Sequence, residues 1–77
     1  MERQVFHSSH TKEGWVVTHN GATVSRHKSQ DEAEQAAMAA GHAAHESGKN
    51  AQAVLHKADG VIREERTYGE DPRRYPS

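Results

Sequence analysis

This chain has no cysteine, which rules out both a disulfide framework and a thiolate-ligated zinc as its staple. Aromatic residues are scarce: Phe6, Trp15, Tyr68 and Tyr75 are the whole set. The only prolines, Pro72 and Pro76, fall at the C-terminal end, so nothing upstream of residue 72 is broken by a fixed φ. No apolar run approaches the roughly 18 residues of a membrane span, and the N-terminus lacks the apolar segment of a signal peptide. These absences lead to the expectation of a cytoplasmic chain that meets no membrane. Neither sign of charge dominates either. A formal net charge of −1 and a pI near 6.6 argue against a protein built to hold nucleic acid by its phosphates, which usually shows a basic balance or face.

What is present is modest. Seventy-seven residues, 32% of them hydrophobic, with a mean hydropathy of −1.06, allow one domain. A core that small supplies only about 3–5 kcal/mol. With no covalent staple available, the remaining sources of stability are well-formed local structure and oligomerisation, and the expected state is a homodimer.

The most informative stretch runs from Ala53 to Pro72. Ala53-Val54-Leu55-His56 and Val61-Ile62-Arg63-Glu64-Glu65-Arg66-Thr67-Tyr68 are strand-forming runs flanking Asp59-Gly60, a strong hairpin signal. Upstream, Arg3 to Ser8 is a short strand centred on Val5 and Phe6, followed by a polar, turn-like segment from His7 to Glu13. Gly14 opens Trp15-Val16-Val17-Thr18-His19, rich in β-branched and aromatic residues. Asn20-Gly21 is the preferred pair for a type I′ turn, and Ala22 to Arg26 returns. Ser29-Gln30-Asp31-Glu32 then matches a capping box, with negative charge at the positive end of the helix dipole. Alanines continue to Ala44 and Gly48 is a natural stop. Ala33, Ala36 or Ala37, Ala40 and Ala44 give this helix of about 18 residues a face of small side chains.

The expected fold is therefore α+β: an antiparallel β-sheet in the order β-β-β-α-β-β, with one alanine-rich helix on one face. Residues 1–69 form the domain and 70–77 a flexible or partner-docking tail. The apolar residues come in adjacent pairs, Val5-Phe6, Val16-Val17, Val54-Leu55 and Val61-Ile62. Neighbours in a strand point to opposite faces, so both faces carry apolar groups while one helix covers only one. The uncovered face, or an edge strand, is the expected dimer contact.

Gly14-Trp15-Val16-Val17, the Ser29-Gln30-Asp31-Glu32-Ala33 helix start, and His56-Lys57-Ala58-Asp59-Gly60-Val61-Ile62 leading to Thr67-Tyr68-Gly69-Glu70-Asp71-Pro72 together resemble a bacterial family of small proteins, domain of unknown function 2188. The resemblance covers roughly residues 14–72. It departs in the histidine content and in Arg73-Arg74-Tyr75. It implies the fold and no activity.

Candidate chemistry is thin. Seven histidines are present: His7, His10, His19, His27, His42, His45 and His56. His42 and His45 could share a metal edge on the helix; His7 and His10 are also three apart, but in an irregular segment, and no Glu-x-x-His framework accompanies either pair. The expectation is no metal and no cofactor, with His56 structurally held beside its turn. Protonating all seven would carry the charge from −1 to about +6 in mild acid. Ser8, Ser9, Ser25, Ser29 and Ser47 lack a nucleophile-elbow context, so the chain is expected not to be an enzyme. The reading is a self-associating protein-interaction module, with Trp15, Val17, Tyr68 and Tyr75 as contact candidates. The alternative is a nucleic-acid-binding accessory protein using Arg26, Lys28, Lys57, Arg63 and Arg66 beside exposed aromatics.

Overall fold

In the computed structural model, which describes residues 3–69, five strands and one helix follow one another as β1 (Gln4–Thr11), β2 (Gly14–His19), β3 (Ala22–His27), α1 (Gln30–Glu46), β4 (Ala51–His56) and β5 (Ile62–Tyr68). They form one sheet ordered β3-β2-β1-β4-β5. The expected tail, with Tyr75, lies outside the described residues.

Local chemistry sets most boundaries. Asn20 and Gly21 both take positive φ, 55° and 80°, as a type I′ turn requires. Ser29 caps the helix by accepting a hydrogen bond from the Glu32 amide at 3.2 Å. At the other end the Gly48 amide donates to His45 O and the Lys49 amide to Ala44 O. Those two bonds, with Gly48 at φ 91°, are a Schellman stop. The second hairpin is wider than an Asp-Gly two-residue turn: Lys57 donates to Val61 O and Gly60 to Lys57 O. Gly60 takes the positive φ there, at 92°, and Asp59 Oδ1 accepts from the Val61 amide.

Two expectations need correcting. First, the His7–Glu13 segment is largely strand, since β1 continues to Thr11 and pairs with β2 along its length. Second, the sheet is mixed: β1 and β4 pair in parallel, Gln4 with Ala51 through Ser8 with Leu55. Counting reversals explains why. Three meandering strands leave β1 and β3 pointing the same way, with β2 shielded between them. A helix of 17 residues, about 26 Å long, carries the chain back, so the next strand runs along β1. Only β5 could have met β1 antiparallel. Its Arg63-Glu64-Glu65-Arg66 run belongs at an edge, whereas Ala51, Ala53, Val54 and Leu55 of β4 are all buried and suit an interior strand.

The core lies between α1 and one sheet face: Trp15, Val17, Ala53 and Leu55 meet Ala33 and Ala37, with Phe6, Ala36, Met38 and Tyr68 packed around them. Gly41 completes the buried helix stripe. It is glycine for a steric reason, because a Cβ there would stand 2.8 Å from Cε2 of Tyr68.

Candidate interaction face

Strand alternation assigns the other face. With Phe6, Ser8, Trp15, Val17, Ala53 and Leu55 turned to the helix, the opposite side receives Val5, His7, Ser9, Val16, Thr18, Gln52, Val54 and His56. Ser9, Val16, Thr18, Thr23 and Arg26 line one shallow depression of about 370 Å³ there, as that assignment requires. No described element covers this face, since α1 packs on the core side of the sheet. Three of the four apolar pairs, Val5-Phe6, Val16-Val17 and Val54-Leu55, do split between the faces, while Val61 lies ahead of β5 in the turn. Even so, Val16 and Val54 are only 4% and 5% exposed, shielded laterally by their neighbours. By contrast Ile62 at 50% and Val61 at 54% stand open beside the β4–β5 turn.

Across the seam of β1 and β4 stand two histidines. His7 Nδ1 and His56 Nε2 are 3.0 Å apart, with ring centroids 5.2 Å apart and planes inclined by 26°. A centroid separation that much larger than the nitrogen separation means the rings meet end-on, as in an N–H···N hydrogen bond. His56 Nδ1 lies 3.1 Å from Gly60 O, which can only accept, so His56 carries its proton on Nδ1. His56 Nε2 is then the acceptor and His7 Nδ1 the donor. Burial, and next the neighbouring His56, hold His7 below its ordinary pKa of 6.5. Of these two residues, sequence reasoning marked His56 as structurally held and noted His7 only as three residues from His10 in a segment read as irregular. A spacing of three in a strand sends that pair to opposite faces, and His10 instead packs its ring 4.9 Å from that of Trp15. Only the β1–β4 register could have revealed the His7–His56 pair.

The other candidates scatter. Trp15 and Val17 belong to the core, at 9% and 1% exposure, and so present little surface to a partner. Tyr68 is half-buried on Gly41, with its ring edge toward His42 at 6.2 Å. Among the basic residues, Arg63 donates to both carboxylate oxygens of Glu34, at 2.9 and 2.6 Å. Arg66 pairs with Glu64 at 2.9 Å, and Arg26 faces Glu13 at 3.7 Å. Arg26 sits on β3 and Arg63 and Arg66 on β5, the two opposite edges, while Lys28 and Lys57 flank the helix start and the second turn. No single track joins them. His42 contacts Glu46 at 3.5 Å, and His45 is exposed. Among the described residues no group of three or more His, Cys, Asp or Glu could hold a metal ion. Ser25 Oγ and His27 Nε2 are 2.7 Å apart, but among the described residues no carboxylate bonds the far side of that ring, as a nucleophile–base pair would need.

Residues 5–68 match the model of a family described as an uncharacterized protein conserved in bacteria, DUF2188. The chain belongs to that family. The match spans every strand and the helix of the DUF2188 fold seen here, from Val5 in β1 to Tyr68 at the end of β5. No curated protein and no solved structure matches the chain. Among the described residues no helix is long and apolar enough to cross a membrane.

Proposed function

We propose that this DUF2188 chain is a non-enzymatic interaction module that self-associates through the open face of its sheet. The observation that carries this is the asymmetry of the sheet: one face is closed by α1, while the other, with the part-buried Val5, Thr18 and His7–His56 pair, has no described element over it. The edges are poorer docking sites. β5 is lined by charges, and β3 has an irregular register against β2 at Val17/Thr18, both devices that discourage strand addition. A second copy is the favoured occupant because the chain is near-neutral, so two copies do not repel, and because its small core gains most from burying more surface. The nucleic-acid alternative is weakened by the carboxylate partners of Arg26, Arg63 and Arg66 and by their separation on opposite edges.

Light scattering coupled to size exclusion, over a concentration series at neutral pH, tests the proposal. The expected mass is twice the 8.5 kDa of the chain. Thr18→Lys places a charge on the open face, opposite His7 across the β1–β2 pair. It should return the mass to that of one chain with the far-UV circular dichroism unchanged. A wild-type monomer at every concentration would overturn the reading.

A further inference from the structure

We propose that self-association through the open face is controlled by protons at the His7–His56 pair, two copies joining when the pair is neutral and separating when it is charged. This rests on the self-association reading above and adds its regulation.

The argument begins with position. β1 is the central strand of the sheet and β4 its neighbour, so a pair bridging them stands near the middle of the sheet's width, toward the end of β4. Any partner covering that face covers the pair. In the neutral state three of its four ring nitrogens are satisfied within the chain: His7 Nδ1 by His56 Nε2, and His56 Nδ1 by Gly60 O. The fourth, His7 Nε2, is an acceptor with no hydrogen-bond partner among the described residues. Two imidazoles in that arrangement can be covered at the cost of one unpaired acceptor, a modest penalty beside that of burying a charge.

Protonation changes the account. One proton per chain is accommodated at His7 Nε2, because His7 Nδ1 still donates to His56. The result is an imidazolium in the centre of the interface, met by the same cation on the opposing copy. A second proton, on His56 Nε2, sets two N–H groups against each other and breaks the pair. Among the described residues no carboxylate pairs with either ring. From β2 the pair is faced by Thr18, from β1 by Val5 and Ser9, and from β4 by Gln52 and Val54. From β5 comes Glu65, whose Oε1 already accepts from Gln52 Nε2 at 3.0 Å. Lys57 and Asp59 stand in the adjoining turn, with Asp59 bonded to the Val61 amide. The depressed affinity of His7 for protons in the single chain has the same sign, and covering the face would depress it further. The other histidines are placed elsewhere: His10, His19 and His27 on the helix side of the sheet, His42 and His45 on α1.

The test is the dimer dissociation constant measured by sedimentation between about pH 7.5 and 5.5, the range in which histidine titrates. Wild type should weaken at least ~10-fold toward acid, since each chain must release a proton on joining. His7→Asn, whose amide nitrogen can occupy the place of Nδ1, should dimerise with a pH dependence well below that of wild type, because the ring nitrogen that takes the first proton is gone. His42→Gln, which removes a histidine from the helix surface, should keep the wild-type dependence and so exclude a general effect of net charge. Should His7→Asn fail to fold, the ring protons of wild-type His7, followed by NMR, give the same answer: its titration must move to lower pH as protein concentration rises. A dimer that is indifferent to pH, or a His7 titration indifferent to concentration, overturns this inference alone. A monomer throughout overturns the self-association reading and this inference with it.

Discussion

The covered and open faces of this sheet are drawn from the same strands, residue by residue in alternation, yet they treat polar groups in opposite ways. Beneath the helix, Ser8 Oγ and His19 Nε2 are buried with no hydrogen-bond partner among the described residues, and only at the β3 edge do Ser25 and His27 bond each other. On the open side, His7, His56 and Gln52 all bond laterally to groups in neighbouring strands or the adjoining turn. Close approach explains the first. A helix whose contact stripe is Ala33, Ala37 and Gly41 brings its backbone near the sheet, but its own amides and carbonyls are already spent on one another. It therefore offers a hydroxyl nothing. The second face has no such lid, and His7, His56 and Gln52 bond along the sheet rather than from above. A face prepared in that way can be covered by another surface at little polar cost.

The largest expected effect separates the faces at adjacent residues. Leu55→Ala empties the covered core and should cost about 3 kcal/mol in urea unfolding, most of what so small a domain has. Val54→Ala, one residue earlier on the open face, should cost roughly 1.5 kcal/mol in the monomer. Equal losses at the two positions would break the comparison.

Next in size is the polar clamp that ties the helix to the edge strand. Glu34 is 6% exposed and accepts from Gln30 as well as from Arg63, so Glu34→Ala should cost about 2 kcal/mol. The clamp also has a pH signature. The Arg63 hydrogen bonds hold the Glu34 carboxyl below its ordinary value of 4.5, against an opposing push from burial. A depressed carboxylate contributes stability that is full above the unfolded value and is lost as pH falls through the folded one. Wild type should therefore lose stability below about pH 4.5, and Glu34→Gln should lack that acid limb. His7, also depressed, gives a separate decline that begins nearer its ordinary 6.5, because the folded chain favours the neutral ring.

The smallest effect has the opposite sign. Ser8→Ala removes a fully buried hydroxyl that has no partner without opening a large cavity, and should raise stability by up to about 1 kcal/mol. A loss on the same thermal or urea measurement would mean that the hydroxyl has a partner after all, and the contrast between the faces would weaken.

Much of this was legible beforehand, and the reasons differ by element. The type I′ turn at Asn20-Gly21 and the Ser29 cap follow from residues acting on their immediate neighbours, so they could be read directly. The hairpin after β4 was legible as a hairpin, although its turn spans Ala58 to Gly60 because Lys57 and Val61 close it. The parallel β1–β4 pair was missed although the sequence held a hint of it: β4 is apolar on both faces and β5 is charged, which orders them interior and edge. The His7–His56 pair had no such hint. Forty-nine residues separate the two rings, and shifting the β1–β4 register by one would send one of them to the opposite face.

The sequence by itself determined the elements, their turns and caps, and the membership in DUF2188, because those rest on interactions within a few residues. Tertiary structure alone decided which strand lies beside β1, which face the helix closes, and that His7 and His56 meet on the face left open. The physical reason is that strand order and register are settled by the competition of whole apolar faces for cover. That competition joins residues far apart in the chain, and no local signal records its outcome.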